Sequence, residues 1–168
     1  QYNSKIFNFL WLFCAFGIAG ILLLLKLILK LLVAPEYQGA WVYSTFLIVA
    51  SGFSTIQAFV GTSYTVEKDS IGCLKSTAFM AVANLILNFI LIKFLSTQGA
   101  TIATMASYVI VLIYRMIDTD KYVRLDVNYT KLIFTYVILI TEAVILSYTQ
   151  LPYYVVTSII IIAITIIN

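Results

Sequence analysis

Long apolar runs separated by short polar breaks set the pattern of this chain. A helix crossing about 30 Å of hydrocarbon needs about 20 such residues, because each adds about 1.5 Å. Runs near that length fall at 6–33, 40–64, 74–95, 99–117, 131–149 and 153–168. Ala34-Pro35-Glu36 closes the first, since proline disfavours helix in the residue before it. Ser96-Thr97-Gln98 separates the third from the fourth, which opens on the small residues Gly99 and Ala100 and so predicts a tight antiparallel hairpin. The polar stretch 118–130 and Leu151-Pro152 flank the fifth. The expected fold is all-α, a polytopic transmembrane bundle of about six helices forming one domain over 1–168. Because the chain opens on Gln1 and stops within the apolar run Ile159 to Ile167, it is expected to be a fragment of a larger protein.

Basic residues orient such a bundle, because short loops rich in lysine and arginine stay on the cytoplasmic side. Lys5, Lys68, Lys75, Arg115, Lys121, Arg124 and Lys131 fall in the N-terminal flank and around the connections after helices two and four. The connections after helices one, three and five contain none, although Lys26, Lys30 and Lys93 lie in the turns leading to them. Both ends of the chain are therefore expected in the cytoplasm. Gly99, Ala103 and Ser107 recur every fourth residue, and Ala15 and Ala19 lie near Gly17 and Gly20, so helices one and four are expected to have close neighbours. Tyr2, Trp11, Tyr37, Trp41, Tyr148, Tyr153 and Tyr154 are expected at the membrane interfaces.

Composition narrows the functions. Hydrophobic residues make up 62% and charged residues 10% of the chain, against about 45–50% and about 25% in soluble domains. A net charge of +3 without aromatic-basic interleaving gives no nucleic-acid surface. The absence of histidine removes the usual acid, base and metal ligand, so neither an enzyme, a metal site nor a cofactor is expected. Cys14 and Cys73 have no metal-ligand spacing and fall on opposite sides of a span, which leaves no disulfide framework.

Polar residues inside the spans each need a reason, since a charge at mid-bilayer costs about 2.5–3.5 kcal/mol on insertion scales. Lys26 and Lys30, one turn apart, either attract an anionic headgroup such as a pyrophosphate or extend their ammonium groups to the outer interface. Lys93 is open to the same interfacial account. Glu142 has no basic residue at helical spacing, so it is protonated, paired with another helix, or exposed to a water-filled cavity. Asn84 and Asn88, also one turn apart, are expected to bond to neighbouring helices. Glu67-Lys68-Asp69 forms an interfacial cluster of mixed charge.

Several ordered strings add a resemblance. Tyr37-Gln38-Gly39-Ala40-Trp41, Gly61-Thr62-Ser63-Tyr64-Thr65-Val66-Glu67-Lys68, Asn84-Leu85-Ile86-Leu87-Asn88 and Gly99-Ala100-Thr101-Ile102-Ala103-Thr104 resemble the C-terminal half of polysaccharide transporters. These are the lipopolysaccharide and O-antigen flippases of the MOP exporter superfamily. Arg115-Met116-Ile117-Asp118-Thr119 and Lys121-Tyr122 are similar to the family's cytoplasmic loop. One departure is Ile92-Lys93-Phe94-Leu95-Ser96, where that family usually has a proline and a glycine, so a differently shaped hairpin is expected.

The resemblance implies the C-terminal lobe of a MOP/MATE-like transporter, with pseudo-symmetric lobes around a central cavity. Alternating access would carry an undecaprenyl-pyrophosphate-linked oligosaccharide across a bacterial inner membrane. The partners it implies are that lipid-linked oligosaccharide, the bilayer and the N-terminal lobe of the same chain. The competing readings are a multidrug or cation antiporter of the same superfamily and a non-transport membrane component of glycan assembly. The antiporter needs intramembrane carboxylates, and Glu142 alone supplies one. A glycan polymerase or acyltransferase would need catalytic polar residues, which the few-residue outer connections lack.

Overall fold

The computed structural model describes residues 2–123, 125–148 and 153–167, and among these it is helical without a strand. Helix α1 spans Tyr2–Leu32, followed by a 3-10 turn at Pro35–Ala40. Ala34 adopts φ −59 and ψ 149, the extended backbone that the following proline favours, and this ends α1. Helix α2 is Trp41–Val66, α3 Ser70–Thr119, α4 Tyr129–Tyr148 and α5 Tyr153–Ile167.

The α2–α3 connection takes few residues because each helix end is capped locally. Lys68 takes a positive φ of 56, and the Asp69 and Lys68 amides donate to the carbonyls of Tyr64 and Thr65 at 2.8 and 3.2 Å. That pair of bonds is the left-handed C-terminal closure usually built on glycine. Asp69 then caps α3 by accepting from the Gly72 amide at 2.9 Å.

Helix α3 reverses within itself. At Ser96 the backbone takes φ 50 and ψ −132, and the arms 70–95 and 97–119 run back along each other. Their contacts fix an antiparallel register: Phe79 packs on Tyr114 with ring centroids 5.2 Å apart, and Asn84 Nδ2 donates to Ser107 Oγ at 3.0 Å. Gly99 lies against the backbone of Leu91, so closely that a Cβ there would overlap it. The break expected over Ser96-Thr97-Gln98 is thus a reversal at one residue, with Thr97 and Gln98 already helical. A serine therefore makes this turn with a positive φ.

Among the described residues four helices, α1, α2, α3 and α4, are long and apolar enough to cross a membrane. Each arm of α3 is itself about 34–39 Å long at about 1.5 Å per residue, enough for the hydrocarbon layer. Along α1, Phe7, Trp11, Ala15, Ile18, Leu22 and Leu25 are buried at helical spacing, while Phe9, Phe13, Leu24, Leu27 and Leu31 are exposed. A helix apolar on both faces suits lipid on its outer side. The outward face of arm 70–95 follows suit with Leu74, Val82, Leu85 and Phe89.

Helix α2 is central. It packs against α1, α3 and α4, while α5 packs against α1 and α4. Among the described residues α3 packs against α2 alone, and a cleft of 680 Å³ lined by Val109, Leu112, Met116, Leu132, Tyr136 and Val137 separates its second arm from α4.

Two expectations need correction. Trp11 is a core residue whose indole donates to Asn8 Oδ1 at 3.3 Å, because it falls on the buried stripe of α1 rather than at an interface. Gly17 and Gly20 have nothing within 4 Å of a Cβ position, so the close approach on α1 is made at Ala15 and Ala19 instead. Tyr37 is exposed, and the side chains of Tyr2, Tyr148, Tyr153 and Tyr154 lie outside the described residues.

Candidate functional site

Polar groups gather at one end of the bundle. Ser4 Oγ accepts from the Asp126 amide at 3.0 Å, the Tyr64 hydroxyl donates to Asp118 Oδ2 at 2.6 Å, and the Tyr122 hydroxyl donates to Asp69 Oδ2 at 2.8 Å. These bonds bring the start of α1, the α2–α3 turn and the α3–α4 connection together, so Lys5, Lys68, Lys75 and Lys121 share that end. Arg124 lies outside the described residues. Lys121 bridges to Asp118 at 3.1 Å and sits 4.7 Å above the Tyr122 ring.

Charge is tuned by these contacts. The Gly72 amide, and after it the Tyr122 hydroxyl, holds the Asp69 carboxyl below its ordinary value. The same bond pushes the Tyr122 hydroxyl up, and the bond to Asp118 raises the Lys121 ammonium.

One turn inward, Arg115 is 7% exposed and holds three helical segments together. Its Nε donates to Ser76 Oγ at 3.1 Å, Nη2 to Thr77 Oγ1 at 3.1 Å, and Nη1 to both the Gln57 carbonyl at 3.1 Å and Gln57 Oε1 at 2.6 Å. Gly61, one turn after Gln57 on α2, leaves the room, since a Cβ there would stand 2.5 Å from Nη1. Every acceptor is neutral. The guanidinium is therefore solvated by fixed dipoles rather than by a counter-ion. Charge counting had placed Arg115 with the loop residues. What could have marked it is a glutamine followed four residues later by glycine inside an apolar helix.

The asparagines act within the hairpin. Asn84 bridges the arms through Ser107, while Asn88 Nδ2 turns back to the Asn84 carbonyl and Asn84 Oδ1 at 2.9 and 3.0 Å. Asn84 alone of the pair crosses to another segment in these bonds.

Lys26 and Lys30 lie toward the opposite end, where they share a groove of 400 Å³ with Leu29, Gly39 and Trp41. Lys26 Nζ stands 4.2 Å from the Trp41 ring centroid, within cation–π range. The 3-10 turn at Pro35–Ala40 creates this pairing by returning the chain beside the end of α1. Lys93 instead covers Phe89 on its own arm, 4.1 Å above the ring.

Glu142 is 0% exposed on α4, and neither carboxyl oxygen has a hydrogen-bond partner. Its depth is bracketed by two contacts of α4 with α2, Phe53 on Tyr136 at 4.2 Å between centroids and Thr45 Oγ1 to Ser147 Oγ at 2.8 Å. The Thr157 hydroxyl of α5 is near enough to influence the carboxyl, but the two do not meet hydrogen-bond geometry, and Thr157 is itself buried without a partner. Glu142, Lys26 with Lys30, and the asparagines thus occupy three separate places rather than one site.

Cys14 and Cys73 are free thiols, and no group of three metal-ligating side chains occurs among the described residues. No family model matches the chain, nor does any curated protein or solved structure.

Proposed function

We propose that this chain is the C-terminal-lobe portion of a membrane transporter that flips a lipid-linked oligosaccharide, carried on undecaprenyl pyrophosphate, across a bacterial inner membrane by alternating access. The observation that carries this reading is the groove in which Lys26 and Lys30 stand together beside Gly39 and Trp41. Two lysines lining one groove match the sign of charge a pyrophosphate needs, and the aromatic ring offers a face to a sugar or to the ammonium itself. Gly39 and Trp41 of this groove belong to Tyr37-Gln38-Gly39-Ala40-Trp41, one of the strings that resemble polysaccharide transporters.

In this reading the chain makes six crossings, with α3 contributing two through its reversed arms. The basic end formed by Lys5, Lys68, Lys75 and Lys121 faces the cytoplasm, and the other lobe comes from the rest of the same protein. Lys26 and Lys30 then hold the pyrophosphate near the outer leaflet, where the cargo is released. The chain's own part is binding and movement, without catalysis.

Deletion of the full-length gene and complementation by variants test this. Loss of surface polysaccharide on deletion, restored by the wild type and not by Lys26→Gln/Lys30→Gln, is the expected result. Unchanged polysaccharide after deletion removes the flippase reading. Full rescue by the double variant reduces the two lysines to interfacial anchors.

A further inference from the structure

Glu142 does no work in the pyrophosphate groove, yet it is among the costliest side chains in the molecule to bury. Its two oxygens and Thr157 Oγ1 are all fully enclosed and unpartnered, and Thr157 lies near enough across the α4–α5 contact to act on the carboxyl. We propose that Glu142 and Thr157 form an intramembrane proton site, in which a proton on the Glu142 carboxyl lets it donate to Thr157 and keeps α4 and α5 closed together.

The groups around the carboxyl exclude an ion pair as the alternative. Helix α4 packs against α1, α2 and α5. Neither Trp41–Val66 of α2 nor Tyr153–Ile167 of α5 contains Asp, Glu, Lys or Arg. On α1 the charged residues are Lys5, at the far end, and Lys26 and Lys30, which line the groove beside Trp41. Lys131 on α4 itself is three turns away, about 16 Å along the axis. The other titratable groups on these helices whose side chains are described are Cys14, Tyr43, Tyr64 and Tyr136, and no hydrogen bond joins any of them to the carboxyl.

A carboxylate left bare in such a place is unstable by several kcal/mol, whereas a carboxylic acid needs one acceptor. A metal cation is a poor substitute, because hard cations take about six oxygen ligands and three are gathered here. Binding is a simple addition: H⁺ joins a carboxylate oxygen, the charge vanishes, and the new O–H turns to Thr157 Oγ1. Releasing that proton creates an uncompensated charge, which only water entering between α4 and α5 can stabilise. The seam between these helices is therefore the element that proton release would open. None of this depends on which cargo the protein moves.

Infrared spectroscopy of the full-length protein in liposomes, with ¹³C-glutamate labelling, reads the proton directly. Glu36 and Glu67, the other two glutamates of this chain, are exposed, so their carboxylates supply an internal reference. At pH 7 the difference between wild type and Glu142→Gln should contain a protonated-carboxyl band, and Thr157→Val should shift that band without abolishing it. A carboxylate band in its place at pH 7, or a protonated band indifferent to Thr157→Val, overturns the proposal. Should Glu142→Gln fail to fold, wild type against Thr157→Val still decides it. Loss of glycan flipping with the band intact would fall on the cargo reading alone.

Discussion

Arg115 and Glu142 are both buried ionisable side chains with no opposite charge beside them, and their surroundings could hardly differ more. Arg115 meets the Gln57 carbonyl and amide oxygen and the hydroxyls of Ser76 and Thr77, so its charge is spread over dipoles that the fold holds in place. Glu142 meets none. A satisfied buried charge fixes geometry, whereas an unsatisfied one stores free energy that a proton can release. Near one end of the bundle the protein uses ionisation to clamp helices, and deeper inside it leaves a group whose charge state can change their fit.

That contrast predicts unequal responses to mutation. Arg115→Ala should destabilise the protein by about 3 kcal/mol, because it removes charge-assisted bonds to α2 and to the first arm of α3 and strands Gln57. Glu142→Gln, neutral and nearly isosteric, should cost less than about 1 kcal/mol. Reversible unfolding in mixed micelles compares the two directly, and equal costs would erase the distinction.

Gly61→Ala pushes a methyl into the guanidinium and should cost about 1–2 kcal/mol. Because it acts through Arg115, the double variant with Arg115→Ala should lose little more than Arg115→Ala alone. Full additivity in the same assay would detach Gly61 from the clamp. Ser96→Gly bears on the register that delivers Ser76 and Thr77 to Arg115. It relieves a non-glycine residue from a positive φ and should stabilise the hairpin by up to about 1 kcal/mol. A drop in the unfolding midpoint would mean that the serine hydroxyl holds the turn.

The smallest effect concerns Asp69, at the same end as the clamp. Its carboxyl is held below the ordinary value in the folded state, so its contribution is present above about pH 4 and fades as pH falls through the lowered value. Amide exchange at residues 67–72, corrected for intrinsic rates, should accelerate on acidification in the wild type and change much less in Asp69→Asn.

Much of the helical layout was legible in the order of apolar runs, because backbone groups in hydrocarbon leave few alternatives to helix. The hairpin was legible too, through Gly99, Ala103 and Ser107, which lie buried along the arm contact. Arg115 was not. Its cage draws on Gln57, Gly61, Ser76 and Thr77, separated from it by 38 to 58 residues, and only packing shows that they meet. Trp11 illustrates the opposite failure, since an aromatic near a helix start fits an interface and a core stripe equally well until the neighbouring helices are placed. Glu142 announced itself by chemistry alone, but Thr157, which the proposed proton site pairs with it, is an ordinary residue of an apolar run.

The attachment of the α3 hairpin has a mechanical side. Because α3 touches α2 and no other helix among the described residues, the hairpin and the α1–α4–α5 group resemble two covers bound to a single spine. Turning one cover about α2 would widen or narrow the apolar cleft facing α4 without breaking any helix contact on its far side. In a bilayer, lateral pressure would act across that gap with the full length of the arm as its lever.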